Sequence, residues 1–163
     1  MDKTDTQILR LIQQDAKISQ ADLAQSVGLS VAGVHKRIKR LEATGVIKGA
    51  VTHLNRLAIG LDLLCFVSVN FKTNNDPSNH ANLRAVTAQL PEVLECYWLT
   101  GSTDALLKVV VSDHQALGSF LKRLAGIQTI IDKVQTSIVL EELKETHELP
   151  LENLAMAEGD GIS

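Results

Sequence analysis

Residues 19–45 read SQADLAQSVGLSVAGVHKRIKRLEATG, and this stretch decides the nature of the first part of the chain. Ser19 is a natural N-cap, and Asp22 stands three residues on, a near relative of the capping box. Leu23, Ala24 and Val27 give the helix that follows its apolar face. Gly28, able to take positive φ at little cost, stops that helix. Ser30 caps a second helix after a tight turn, and Gly45 ends it. Two short helices joined through Val27-Gly28-Leu29-Ser30 make the helix-turn-helix pattern, in which the second helix is the reader.

Turning that reader helix at 100° per residue sorts its side chains. Val34, Ile38 and Leu41 fall within about 60° of one another and form the core stripe. Ala32, Gly33, Lys36, Lys39 and Arg40 point the other way, and His35 and Arg37 flank the stripe. Small residues near the N-terminal end leave room to enter a groove, and the cations behind them meet phosphates along its walls. Ser30, Ala32, Gly33, His35, Lys36, Lys39 and Arg40 are therefore the expected DNA-facing residues. Arg37, beside the core, is as well placed for a structural ion pair. Gly33 weakens the helix by about 1 kcal/mol relative to Ala.

Working outward, Asp2 is placed to cap a first helix, with Asp5 in its first turn and Ile8, Leu9, Leu11 and Ile12 as its apolar stripe. Residues 1–50 hold eight Lys/Arg against five Asp/Glu, a balance of +3, and residues 51–163 hold eight against fourteen, a balance of −6. Such a split points to two parts, the first meeting a polyanion and the second not.

The boundaries follow: a helix-turn-helix (winged-helix-like) domain over 1–50, a connecting strand and hinge over 51–62, a second domain over 63–146, and a tail over 147–163. VIKGAVTHL at 46–54 reads as a short strand, and the last eight residues read as disordered. The second domain orders as strand 63–71, helix 78–90, strand 93–100, strand 105–112, helix 113–125 and strand 130–141. Pro77 and Pro91 bound its first helix, and Asp113 caps its second. Leu83, Val86 and Leu90 face the core from one helix, and Leu117, Phe120, Leu121 and Leu124 from the other. The order βαββαβ is the ferredoxin-like arrangement, an antiparallel sheet with both helices on one side, so the fold class is α+β. LLCFVSVNF at 63–71 and ALLKVVV at 105–111 are apolar on both sets of alternate positions for most of their length. A half-solvated sheet alternates more cleanly, so the helix-free face is expected to pack against a second copy.

Other classes are excluded by composition. No apolar run reaches the roughly 20 residues that span a bilayer, and Met1-Asp2-Lys3-Thr4-Asp5 opens no signal-peptide core, which places the protein in the cytoplasm. Cys65 and Cys96 read as two buried free thiols. His35, His53, His80, His114 and His147 lack ligand spacing, so no metal is expected. Glu141 and Glu142 are adjacent and face opposite sides of a strand, and Glu92 and Glu95 read as solvated charges. No phosphate loop, nucleophile elbow or redox CxxC is present.

LIQQDAKISQADLAQSVGLS and VHKRIKRLEATGVIKG in the first part, with PEVLECYWLTGSTDALLKVVV and TSIVLEELKET in the second, resemble the Lrp/AsnC, or feast/famine, family of regulators. The resemblance covers nearly the whole chain; Ala50 departs from it, standing where an aromatic often follows the glycine. It implies a DNA-binding helix-turn-helix joined to a ligand-binding βαββαβ domain, with no enzymatic activity and no cofactor beyond a small effector, usually an amino acid. It implies binding to a double-stranded DNA operator as a homodimer that assembles further to a tetramer or octamer. It also implies an effector site at the turn Thr100-Gly101-Ser102-Thr103-Asp104, at interfaces between dimers. Chemistry agrees with that turn, since Gly101 exposes amides to a carboxylate and Asp104 offers an acceptor to an α-ammonium group. Leu99, Gly101, Ser102, Thr103, Asp104, Thr136, Ser137 and Ile138 are the expected effector residues, with Leu99 as an apolar wall and Trp98 better suited to core packing than to a second wall. A plain hairpin turn is the alternative reading of the same residues. Two functional alternatives stand beside the regulator: a sirohaem-decarboxylase-like enzyme on the same architecture, and an amino-acid sensor that no longer binds DNA.

Overall fold

In the computed structural model, residues 1–73, 76–125 and 131–152 are described. The chain forms two compact units, one of Met1–His53 together with the residues from Lys144 onward, the other of Leu54–Leu143.

The first unit holds helices α1 (Lys3–Gln14), α2 (Gln20–Val27) and α3 (Val31–Ala43). Each begins on the cap that the sequence supplies. Asp2 and Asp5 close a full capping box, Asp5 N–H donating to Asp2 Oδ1 at 2.8 Å and Asp2 N–H to Asp5 Oδ2 at 3.0 Å. Ser19 Oγ accepts from Asp22 N–H at 3.1 Å, and Ser30 Oγ from Gly33 N–H at 3.1 Å. Gly28 sits at φ 67°, the left-handed conformation that lets the chain turn from α2 into α3. Leu23, Ala24 and Val34 are buried together, with Leu11, Ile12, Ile18, Val27, Leu29 and Ile38 packed around them.

No strand forms over residues 46–54, where one was expected, and 51–62 contains instead a short 3₁₀ turn, Leu57–Ile59, closed by Gly60 at φ 78°. A strand needs a neighbour to take its backbone hydrogen bonds, and a single chain offers this segment none. The tail is not peripheral over its described part. Leu151 is buried against Leu9, Leu41 and Ile47, which makes it a core residue of the first unit. The last eight residues, expected to be disordered, lie outside the described residues.

The second unit contains strands β1 (Leu63–Phe71), β2 (Val93–Trp98), β3 (Ala105–Val111) and β4 (Ile131–Ile138), with helices α4 (Pro77–Thr87) and α5 (His114–Ala125). The order is βαββαβ as expected, and position 130, read as the start of the last strand, lies outside the described residues. The sheet runs β2-β3-β1-β4, antiparallel throughout. Asp113 caps α5, its Oδ1 accepting from Ala116 N–H at 2.8 Å.

Strand parity separates the two faces. Cys65, Val67, Val69 and Phe71 of β1 and Ala105, Leu107, Val109 and Val111 of β3 pack under Leu83, Leu90, Leu117, Phe120 and Leu124. The opposite face carries Leu64, Phe66, Leu106, Val110 and Tyr97, with the Lys108–Glu95 pair at 3.3 Å among them. Both cysteines are free, but Cys96 is exposed where burial was expected, because β2 is an edge strand only partly covered by α4. Burial raises the pKa of the Cys65 thiol. Glu92 and Glu95 are not freely solvated either, since Arg123 holds Glu92 and Lys108 holds Glu95.

Phe120, fully buried under the sheet, anchors this core. Phe120→Ala is expected to lower the stability of the second unit by about 3–5 kcal/mol, read as a reduced urea midpoint at unchanged slope.

Candidate nucleic-acid interface and effector site

The reader helix α3 is held by carboxylates contributed from α1. Asp5 is fully buried, and its Oδ1 accepts from Arg37 Nη1 at 2.8 Å while its Oδ2 accepts from Arg40 Nη2 at 2.6 Å. Arg37 Nη1 also donates to Asp2 Oδ2 at 2.6 Å. The Arg37 guanidinium, followed by the Asp5 N–H, brings the Asp2 carboxyl from 3.8 down to about 2. In return the hydrogen bonds to Asp2 and Asp5 raise Arg37 further above its ordinary value. Arg37 is thus the structural ion pair anticipated as one of its two readings. Arg40, expected on the DNA face, shares the same carboxylate. The sequence placed Asp2 as the cap and Asp5 only in the first turn, and missed the pairing of both with α3, for which Arg37 on the flank of that helix was the signal.

The other expected DNA-facing residues divide by their contacts. Val34 and Leu41 are buried, so the opposite side of α3 faces solvent. Ala32 is exposed there, and Ser30 is spent on the cap. Gly33 lies close under that cap, since a Cβ at this position would come within 3.3 Å of Ser30 Oγ. His35 meets Gln20 of α2 through Nδ1, at 3.2 Å to Nε2 and 3.3 Å to Oε1, a partner the sequence reading missed. Lys39 pairs with Glu42 at 2.8 Å on the open surface, where such a pair is worth little and is readily exchanged for a phosphate. Lys36 is exposed and, among the described residues, meets no side-chain partner.

The turn between β2 and β3 is tied to the end of β1. Asp104 Oδ2 accepts from Phe71 N–H at 2.8 Å, Asp104 N–H donates to Val69 O at 3.2 Å, and Leu99 N–H donates to Asp104 O at 2.8 Å. Asn70 Nδ2 donates to Ser102 O at 2.8 Å, and Gly101 bends the chain at φ 117°. One oxygen of Asp104 is therefore occupied by the backbone of β1. Gly101 and Ser102 are exposed, and Thr103 is half-buried beside them.

The structure gathers Leu99 and 101–104 but does not bring 136–138 to them. Strand β1 lies between β3 and β4, with Val69 opposite both Ala105 and Val134. Thr136 and Ile138 lie two and four residues farther along β4, so about 12–17 Å separates them from the start of β3. Thr136 and Ile138 also share one face of β4 and Ser137 the other. Within one chain the two sets of residues therefore do not meet. Separately, His80, Leu83, Arg84, Thr87, Cys96 and Trp98 line an open cleft of about 110 Å³ between α4 and β2, which the sequence did not announce. Desolvation there raises the pKa of the Cys96 thiol, against a smaller opposing pull from Thr87.

Comparison with known proteins places both units. Residues 1–48 match the winged helix-turn-helix DNA-binding family, and residues 64–149 match the Lrp/AsnC ligand binding domain. The chain belongs to the Lrp/AsnC family of transcriptional regulators. It is 36% identical over 153 residues to the DNA-binding transcriptional activator DecR of Escherichia coli, covering 93% of this chain and 99% of DecR. It is 33% identical over 154 residues to the transcriptional regulator AzlB of Bacillus subtilis, covering 94% and 98%. An AsnC family regulator from Agrobacterium tumefaciens superposes with a TM-score of 0.87 at 35% identity, covering 94% of this chain and 99% of that one. A Neisseria meningitidis regulator, solved in complex with L-Met, gives 0.87 at 31% identity with the same coverage. As in other Lrp/AsnC chains, a DNA-binding unit precedes a ligand-binding unit. Among the described residues no helix is long and apolar enough to cross a membrane.

Asp2 gives the interface a pH signature. Because its folded pKa is lowered, its contribution is complete above its ordinary value of 3.8 and is lost as pH falls toward about 2. The wild-type melting temperature should therefore fall more steeply across that window than that of Asp2→Asn, measured by thermal unfolding at stepped pH.

Proposed function

We propose that the protein is a cytoplasmic homodimeric regulator that reads an operator through α3 and responds to an amino acid bound at the turn 101–104. The observation that carries the DNA reading is the division of cations on α3. Asp5 ties Arg37 and Arg40 to the body of the unit, which leaves Lys36 and Lys39 outermost behind the small residues Ala32 and Gly33. Two such helices in a dimer would meet successive major grooves about 34–36 Å apart, on an imperfect palindrome.

Dimerisation is supported by apolar surface that a lone chain leaves in water. Leu140 is 99% exposed, Leu143 88%, Val51 78% and Leu54 70%, and Phe66 and Tyr97 are exposed on the helix-free sheet face. Further assembly to a tetramer or octamer is supported by the separation of the turn from 136–138, because two chains are needed to complete a pocket from both. An amino-acid effector is supported by the chemistry of the turn, a bent glycine backbone beside a carboxylate oxygen, and by the L-Met complex of the Neisseria relative.

Two measurements test these assignments with a duplex selected from a random pool by the wild-type chain. Lys36→Ala is expected to weaken binding and to reduce the slope of log affinity against log salt by about 0.9 per lost phosphate contact. An unchanged slope removes Lys36 from the interface. Asp104→Asn keeps an acceptor for Phe71 N–H but loses the charge that would meet an α-ammonium group. It should abolish the effect of L-leucine or L-methionine on operator affinity while basal binding persists, and an undiminished response would make the turn purely structural.

A further inference from the structure

The chain leaves the first unit after His53, builds the second between Leu54 and Leu143, and re-enters the first at Lys144. Two covalent connections therefore join the units, and both are anchored at each end. Within the first unit the rings of His53 and His147 stack, with centroids 4.3 Å apart and planes inclined at 19°. Within the second unit Arg56 grips Glu142, Nε donating to Oε1 at 3.0 Å, and Nη1 donates to the carbonyls of Leu61 at 3.0 Å and Asp62 at 2.8 Å. The outgoing connection is pinned at 53 and 56, the returning one at 142 and 147. At about 3.6 Å per residue these intervals span no more than about 11 Å and 18 Å.

The returning connection also starts and finishes on structure. Val139 N–H donates to Leu64 O at 2.9 Å, which continues the ladder beyond the end of β4. At the far end Gln13 of α1 pairs with the Leu149 peptide in both directions. Leu149 N–H donates to Gln13 Oε1 at 2.8 Å, and Gln13 Nε2 donates to Leu149 O at 3.3 Å. Two residues on, Leu151 is buried against Leu9 of α1 and Leu41 in the last turn of α3. Ordering a tail costs about 1–2 kcal/mol per residue, so a segment held at so many points is under specific constraint.

We infer that residues 139–151 form a strap by which the ligand-binding unit acts on the DNA-reading helix. Gln13 and Leu151 are its positioning residues. The inference rests on the reading of the chain as a DNA-binding regulator, and it adds a route for the response. A displacement of β4 is carried along this short connection to the Leu151 anchorage on α1 and the last turn of α3. Coupling of this kind is reciprocal, so whatever free energy the ligand-binding unit exerts on DNA binding, bound DNA exerts in return on the ligand-binding unit. That reciprocity allows a test without any effector.

The test uses the full-length chain, the duplex selected from a random pool, and amide hydrogen exchange read by mass spectrometry. In the wild type, duplex binding should change exchange in residues 131–143 by about fivefold or more, the lower end of ordinary coupling energies. A variant with a flexible Gly/Ser spacer of about ten residues between Leu143 and Lys144 keeps the docked Leu151 and adds slack. It should bind the duplex as the wild type does and keep slow exchange in α1, yet lose the change in 131–143. Leu151→Asp should lose that change and also speed exchange in α1. A wild type that binds DNA with no change in 131–143, or a spaced variant that retains the change, overturns the strap alone. A chain with no affinity for any duplex fails at the titration itself and overturns the regulator reading together with the strap.

Discussion

The first unit depends on one buried carboxylate. Asp5 closes the capping box of α1 and at the same time accepts from Arg37 and Arg40 of α3, so a single side chain sets both the start of the first helix and the lie of the reader helix. Leaving such a group unpaired in an apolar interior is costly, and two guanidinium groups with a backbone N–H satisfy it. Two of the four Lys/Arg side chains on α3 are committed to this task, Arg37 from beside the core stripe and Arg40 from the outward face. The positive face presented to solvent is consequently narrower than the run HKRIKR suggests.

Local signals in the sequence were legible because their causes are local. Ser19, Ser30 and Asp113 cap the helices they were expected to cap, Gly28 turns the chain, and the stripe of Val34, Ile38 and Leu41 packs inward. The βαββαβ order and the apolar character of both sheet faces were legible for the same reason, since a short apolar run bounded by turn signals marks a strand covered on both faces whatever it pairs with. The failures all involve partners distant in sequence or belonging to another chain. The segment 46–54 lacks a neighbouring strand in a single copy, Cys96 opens onto a cleft because β2 falls at the sheet edge, and the tail finds its place through Leu151. Composition marks a tail as polar or apolar but not which helix awaits it.

The candidate sites show the same division. The residue types at the turn 101–104 foretold a backbone that bends and a carboxylate beside it, and both are present. The grouping of that turn with 136–138 did not follow, because strand order is a property of the whole sheet. With β1 lying between β3 and β4, the turn and residues 136–138 of one chain stay apart.

The place of Leu151 has a consequence for synthesis. The helices of the first unit emerge from the ribosome before the second unit, yet their Leu9–Leu41 cluster is finished by Leu151, made after the whole of the second unit. At about 5–20 residues per second, the roughly 100 residues between His53 and Leu151 leave that cluster open for about 5–20 s. Strand β1 waits similarly, with one edge unpaired until β4 is made. The first unit therefore stays incomplete until residue 151 is made, and a nascent chain interrupted before it carries a helix-turn-helix with an uncovered apolar side. Unfinished chains would thus be marked for aggregation or proteolysis rather than released as defective competitors for the operator.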